Sequence, residues 1–270
     1  MVAAFLSATV VVLAGGWLCL DVVARGLPGL SWAFLTGPVL SAGRAGGVGP
    51  VVLSTLWILG VCLAASLPLA LGTAAWLTEG ASQGLGPRRW ARASLDVLAG
   101  VPSIVFGLFG NALFCKAMGL GFSILAGGLT LACMVLPILA RTAEEAFAAV
   151  PSEWRLGGAA LGLDRFAVFL RVVLPAAAPA LLAGLVLGVG RALAETAALI
   201  FTSGYVDRAP SSWFDSGRAL SVHVYDLSMN VPGGNDNAYS SALVLVLLLL
   251  GINGVVAGAR RGMRRRWVVA

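Results

Sequence analysis

Glu144-Glu145-Ala-Phe-Ala-Ala-Val-Pro-Ser-Glu-Trp-Arg-Leu-Gly-Gly-Ala-Ala-Leu-Gly162-Leu-Asp-Arg-Phe-Ala-Val-Phe-Leu-Arg-Val-Val-Leu174-Pro175 is the stretch on which the reading of this 270-residue chain turns. It belongs to the segment 141–175, which carries eight charged residues and so does not sit in hydrocarbon. Ser152, following Pro151, is placed to cap a short helix through Leu161. Gly162 can supply the left-handed turn that ends this helix, and Asp164 can cap a second one leading to Leu174-Pro175. Two short helices at an angle, flanked by charge, suit a cleft on a soluble partner. Periodicity alone fits an amphipathic interfacial loop equally well.

Outward from this stretch the chain is almost uncharged. Residues 2–20, 45–78, 97–115, 117–140, 172–190 and 237–259 contain no Asp, Glu, Lys or Arg, and each run is at least 19 residues long. About 20 helical residues cross a hydrocarbon core. Lipid offers the backbone no hydrogen-bond partner, so such runs must be helical. Hydrophobic residues make up 59% of the chain and charged residues 11%, against roughly a quarter charged in a soluble domain. The sequence therefore predicts an all-α integral membrane protein of about six transmembrane helices. The first covers 1–23, a core of five covers 51–259, and a basic tail covers 260–270. The core spans read as Val51–Leu77, Ala93–Phe114, one ending near Ala140, Pro175–Phe201 and one ending before Arg260.

The net charge of +6 follows topology rather than nucleic acid. If the chain changes side at each span, Arg88, Arg89, Arg92, Arg141, Arg155, Arg165, Arg171, Arg260, Arg261, Arg264, Arg265 and Arg266 share one side. Arg25, Arg44, Lys116, Arg208 and Arg218 lie on the other. Basic loops stay cytoplasmic, which puts both termini inside and makes 141–175 a cytoplasmic loop. The first run has no basic n-region and no small-residue cleavage site before Asp21, so it reads as a retained helix. An inside N-terminus then predicts a short basic segment upstream of Met1. Cys19, Cys62, Cys115 and Cys133 are scattered without a C-x-x-C pair, which argues against a metal site or a disulfide framework. His223, the only histidine, reads as an outer-loop residue with no triad or metal partners. Lys116, the only lysine, is not preceded by a phosphate-binding loop, so neither an ATPase nor any other enzyme is expected in this chain. No internal repeat or inverted half is visible.

Spacing then supplies a resemblance. Gly162, nine residues, then Val172-x-Leu174-Pro175 is similar to the EAA loop of type I (MetI-like) ABC importer permeases, E-A-A-x3-G-x9-I-x-L-P. In that family the loop forms a coupling helix seated in a groove of the ATP-hydrolysing subunit. Here the triplet positions hold Leu156-Gly157-Gly158, without the usual acid. The resemblance therefore points to Glu153, Arg155 and Arg165 as the coupling contacts, with Gly162, Leu174 and Pro175 completing the loop. Further segments resemble the phosphate-permease (PstA) subfamily. They are Arg25-Gly-Leu-Pro-Gly-Leu-Ser-Trp-Ala-Phe-Leu-Thr-Gly-Pro, Asp96-Val-Leu-Ala-Gly-Val-Pro-Ser-Ile-Val-Phe-Gly-Leu-Phe-Gly110, Arg191-Ala-Leu-Ala-Glu-Thr-Ala-Ala-Leu-Ile-Phe-Thr-Ser-Gly204 and Leu220-Ser-Val-His-Val-Tyr-Asp-Leu.

The resemblance implies a type I ABC importer permease fold in the inner membrane, with phosphate as substrate; sulfate or molybdate is the alternative within the class. It implies as partners a homologous PstC-like permease, a dimeric PstB-like ATP-binding subunit and an external PstS-like phosphate-binding protein met by the loops around Ser203 to Asp236. This chain would hold no cofactor, ATP-Mg being bound by the partner ATPase. A channel, a secondary carrier or a non-transporting scaffold would be a reading of another class, and uptake without ATP would mark the first two.

Arg191 and Glu195 are the only charges deep in any predicted span. A buried arginine costs about 2.5–3.5 kcal/mol on insertion scales, so such residues face protein or a cavity. Spacing of four brings the two together on one helical face. Gly184 and Gly188 share that face and suit close helix packing. At 1.5 Å per residue, Arg191 lies about 24 Å beyond Pro175, in the outer half of the membrane. Arg191 is expected to contact passing phosphate and Glu195 to hold it between passages, although a structural ion pair would look the same in sequence.

Overall fold

In chain order the elements are α1 (Val2–Gly26), α2 (Trp32–Thr36), a ribbon of β1 (Val39–Leu40) and β2 (Ala45–Gly46), α3 (Gly49–Glu79), α4 (Leu85–Ala99) and α5 (Ser103–Gly110). They continue as α6 (Ile124–Ala148), α7 (Ser152–Ala160), α8 (Arg165–Val168), α9 (Leu174–Leu193), α10 (Ala197–Ile200), α11 (Leu220–Met229) and α12 (Asn235–Val268). This computed structural model describes residues 1–80 and 85–268. Residues 81–84, between the expected spans Val51–Leu77 and Ala93–Phe114, and 269–270 of the expected tail lie outside them.

Five helical segments are long and apolar enough to cross a membrane: Phe5–Gly29, Gly49–Glu79, Ile124–Ala148, Arg165–Leu193 and Asn235–Arg261. A bent pair, Gly86–Ala99 with Ser103–Ala117, whose axes meet at 101°, is long and apolar enough only when its two helices are taken together. The straight span expected over Ala93–Phe114 is therefore broken. Pro102 cannot donate a helical hydrogen bond and disfavours helical geometry at Val101, and Gly100 before it gives the chain freedom to turn.

α6 is the centre of the bundle and is buried along most of its length. Small residues let its neighbours approach: a Cβ on Gly128 would meet Val61 of α3 at 2.5 Å, and one on Gly110, at the end of α5, would collide with Thr130. α1 is the opposite case. From Phe5 to Leu20 it is exposed throughout. Its C-terminal end is held by Gly26, where a Cβ would lie 2.6 Å from the Tyr239 carbonyl of α12.

Two further boundaries differ from the sequence reading. The second short helix of the loop does not stop before the membrane. α8 runs through a wider π turn, Phe169–Val173, straight into α9, and Leu174 N–H donates to the Phe169 carbonyl five residues back. Widening the turn accommodates Pro175, which has no N–H to return to the preceding turn. At the far end the span stops at Leu193 instead of Phe201, and Ala194, Glu195 and Thr196 separate it from α10.

Candidate functional site

Packing on α6 positions the end of α9. Gly184 lies against Thr142, and a Cβ on Gly188 would come within 2.7 Å of Leu139 and 3.1 Å of Val135. Beyond this close approach α9 ends, and Arg191 and Glu195 meet. Arg191 Nη1 donates to Glu195 Oε2 at 2.8 Å, so the expected contact forms even though Glu195 has left the helix. The other carboxylate oxygen, Oε1, accepts from Ala198 N at 3.2 Å and satisfies an orphan donor at the start of α10.

The two partners differ in exposure. The Glu195 side chain is 3% exposed and that of Arg191 42%. The remaining N–H groups of Arg191 have no partner among the described residues. A buried, fully engaged carboxylate thus holds a guanidinium whose free donors are open, the arrangement suited to a transient oxyanion contact.

The segment between α10 and α12 is built around α11. His223 was expected in a loop, but it lies in α11 and is 1% exposed. Its Nδ1 is 3.3 Å from Arg218 Nη1, and the same Nη1 lies 3.3 Å from Asp226 Oδ2. Gly43 approaches the ring so closely that a Cβ there would lie 3.0 Å from Cε1. One apolar residue on each side of His223 in Leu220-Ser-Val-His-Val gave no periodicity to mark it as core.

Burial first, then Arg218, push the His223 pKa down to about 4, against the opposite pull of Asp226 and Asp207. α11 lies outside the candidate spanning segments. The opened form protonates near 6.5 and the closed form near 4, so the opened form takes the proton first. Closure is therefore fully stable above about 6.5 and weakens as pH falls toward 4, by about 3 kcal/mol in all. Amide exchange in α11 should speed up between pH 7 and 5 beyond the intrinsic change, and His223→Asn should abolish that extra dependence.

On the other face, the loop after α6 forms two helices joined by Gly162 at φ +80°. Gly162 N donates to the Ala159 carbonyl at 2.9 Å and Leu163 N to the Gly158 carbonyl at 3.2 Å, closing the first helix. Asp164 Oδ1 accepts from Ala167 N at 2.7 Å, as its cap position predicts. Ser152 instead occupies the first helical turn, with Pro151 at the cap position and no side-chain cap bond; the fixed φ of proline starts this helix without help from a hydroxyl.

Arg155 turns inward. It pairs with Glu79 at 2.9 Å, donates to the Phe147 carbonyl at 2.7 Å and also to that of Val150. Glu153 and Arg165 are exposed, and Leu174 and Pro175 are half-buried. Gly158 is buried under Val168. What the sequence reading missed is the apolar surface beside the two charges: Trp154, Leu156, Leu161 and Phe166 are all exposed. The available signal was Gly157-Gly158 beside large apolar residues, since a helix packed through glycine turns its bulk outward.

A second group of charges ties α4 to α6. Arg92 Nε pairs with Glu144 Oε1 at 2.6 Å, Arg141 Nη1 with Glu144 Oε2 at 3.3 Å, and Arg141 also pairs with Asp96. The bent pair is thus fixed to α6 by charge through α4 and by the close approach of Gly110 to Thr130 at the end of α5.

Three comparisons bear on this architecture. A family model described as binding-protein-dependent transport system inner membrane component matches residues 66–267. The chain is 33% identical over 259 residues to the phosphate transport system permease protein PstA 1 of Mycobacterium tuberculosis, a match covering 93% of this chain and 84% of that protein. Its fold is similar to that of a MetNI methionine ABC transporter solved in an inward-facing conformation, at 15% identity and a TM-score of 0.62 over 79% of this chain and 96% of the other. It is also similar to a bacterial ABC transporter involved in import of the acidic polysaccharide alginate, at 14% identity and a TM-score of 0.65 over 96% and 94% of the two chains.

Proposed function

Since this chain belongs to the family of binding-protein-dependent transport system inner membrane components, and within it to the PstA-type permeases, we propose how its parts divide the work of phosphate import. The chain is a multi-pass membrane protein and the permease of an ABC phosphate importer. Relatives named for phosphate transport give no support to sulfate or molybdate. A PstC-like permease completes the pathway, a PstB-like dimer binds ATP-Mg and hydrolyses it, and a PstS-like protein delivers phosphate outside. Both termini lie in the cytoplasm, on the side of the basic loops.

The observation that carries the reading is the open guanidinium of Arg191 on a buried Glu195, at a break between α9 and α10. Broken helices expose backbone and side-chain groups at membrane depth where they line a protein-enclosed path. The other broken pair lies beside it: a Cβ on Gly107 of α5 would meet Ala198 of α10 at 2.9 Å. Arg191 takes the phosphate as it passes, and Glu195 reclaims the guanidinium afterwards, which keeps the contact weak enough for release. On the cytoplasmic side the ATPase seats on α7 and α8 through Trp154, Leu156, Leu161 and Phe166, with Glu153 and Arg165 as charged contacts. Arg155, Gly162, Leu174 and Pro175 hold that surface in shape.

The test is uptake of labelled phosphate into vesicles holding this chain with its partner permease and ATPase, binding protein outside and ATP inside. Uptake should require ATP and persist in excess sulfate. Uptake without ATP would replace the importer with a carrier or channel, and inhibition by sulfate would move the substrate.

A further inference from the structure

α11 lies within the segment expected to meet the external binding protein, and its bonds converge on the backbone behind the pathway pair. The last carbonyls of a helix have no intrahelical donors, and Glu195 has just left α9. Ser221 Oγ supplies the donor, reaching the Glu195 carbonyl at 2.6 Å, and Ser221 itself is buried. The start of α11 is fixed in turn to α3, where Leu220 N donates to Thr55 Oγ1 at 2.8 Å.

Arg218, just ahead of α11, donates from Nε to the Tyr205 carbonyl at 2.9 Å and pairs with Asp226 on the next turns. Its backbone N–H donates to the Val206 carbonyl at 2.9 Å. Behind the break lies a cavity of about 10 Å³, lined in part by Thr55, Ser221, Ala192 and Leu193. That space holds one water at most, so residues 193–196 have little room to shift unless the Ser221 contact lets go.

We propose that Ser221 is a positioning residue for phosphate transport: through the Glu195 carbonyl, α11 sets where the Glu195 carboxylate stands and hence how Arg191 is presented. The proposal rests on the reading of Arg191 as the phosphate contact. Movement of the outer segment is thereby transmitted to the pathway through a single buried hydrogen bond, and Thr55 anchors the lever to the bundle.

The experiment uses the assembled importer in vesicles with labelled inorganic phosphate. Ser221→Ala should lower the maximal uptake rate about tenfold, the equivalent of one buried hydrogen bond, with the amount of assembled complex unchanged. Thr55→Val should act in the same direction, and Thr55→Ser, which keeps the acceptor, should restore uptake. The discriminating measurement is the double variant Ser221→Ala, Glu195→Gln. If Ser221 works through Glu195, the double variant loses no more than Glu195→Gln alone, whereas a merely structural role makes the losses multiply. Multiplying losses, or uptake in Ser221→Ala within twofold of wild type, would overturn the proposal. If Arg191→Gln is inactive in the same assay, the transport reading survives that outcome; if Arg191→Gln transports normally, the reading itself falls.

Discussion

Arg191→Gln should lower phosphate uptake by the assembled importer on the order of a hundredfold, and adding Glu195→Gln should not restore it. A hydrogen bond between charged groups contributes about 1.5–3 kcal/mol, and at the upper end that is roughly a hundredfold in rate. The second variant separates transport from architecture. Glu195 is 3% exposed, so removing Arg191 leaves a buried carboxylate uncompensated, at a cost below the roughly 3–5 kcal/mol of a fully buried pair because Arg191 is itself 42% exposed. If the pair served only to join the end of α9 to α10, neutralising both residues would relieve that penalty and recover uptake. If Arg191 meets phosphate, the double variant has lost the same cation and stays inactive. Arg191→Lys should fall between, since an ammonium keeps the charge but not the planar fork. Uptake normalised to the quantity of complex in the membrane decides the matter, and a recovered double variant would return the pair to a structural role.

The large-scale layout was legible because membrane insertion reads composition over whole segments. A run such as 237–259 has to be a helix in lipid whatever its neighbours do, and the spanning segment Asn235–Arg261 is one. Local stereochemistry was legible where one residue decides it: Gly162 takes φ +80°, and Asp164 caps α8. The breaks were not. Residues 97–115 are free of charge whether the helix runs straight or bends by 101°, and hydropathy cannot tell these apart; only Gly100 and Pro102 carried the information. The same limit hid the end of α9, where Ala194, Glu195 and Thr196 form no breaker pattern. The pairing of Arg191 with Glu195 was legible because two charges four residues apart in an apolar run stand out. The Ser221 contact was not, because its partner is a carbonyl 26 residues away in sequence, a distance that no local pattern spans. Arg155 was recognised as a candidate contact, but its direction depends on where α3 and α6 end, which the loop sequence does not state.

That direction sets the second large expected effect. Arg155→Ala should abolish coupled uptake while leaving the protein inserted, and Glu79→Gln should have little effect. The Arg155–Glu79 pair is partly exposed, with side chains 24% and 30% accessible, and ion pairs of that kind contribute about 0–1 kcal/mol. The carbonyls of Phe147 and Val150 are a different matter. They lie at the C-terminal end of α6, where carbonyls lack helical donors and the helix dipole favours a cation. Two charge-assisted bonds there, at about 1.5 kcal/mol or more each, hold α7 down by about 3 kcal/mol. Amide exchange in residues 152–160 should therefore accelerate roughly a hundredfold in Arg155→Ala and less than about fivefold in Glu79→Gln. Arg155→Lys should fall between, since one ammonium reaches one of the two carbonyls well and the other poorly. Loss of uptake with exchange unchanged would mean that Arg155 leaves its carbonyls to touch the ATPase directly. Loss of uptake with α7 released would mean that the ATPase recognises a surface presented by the fold, and that Arg155 is what presents it.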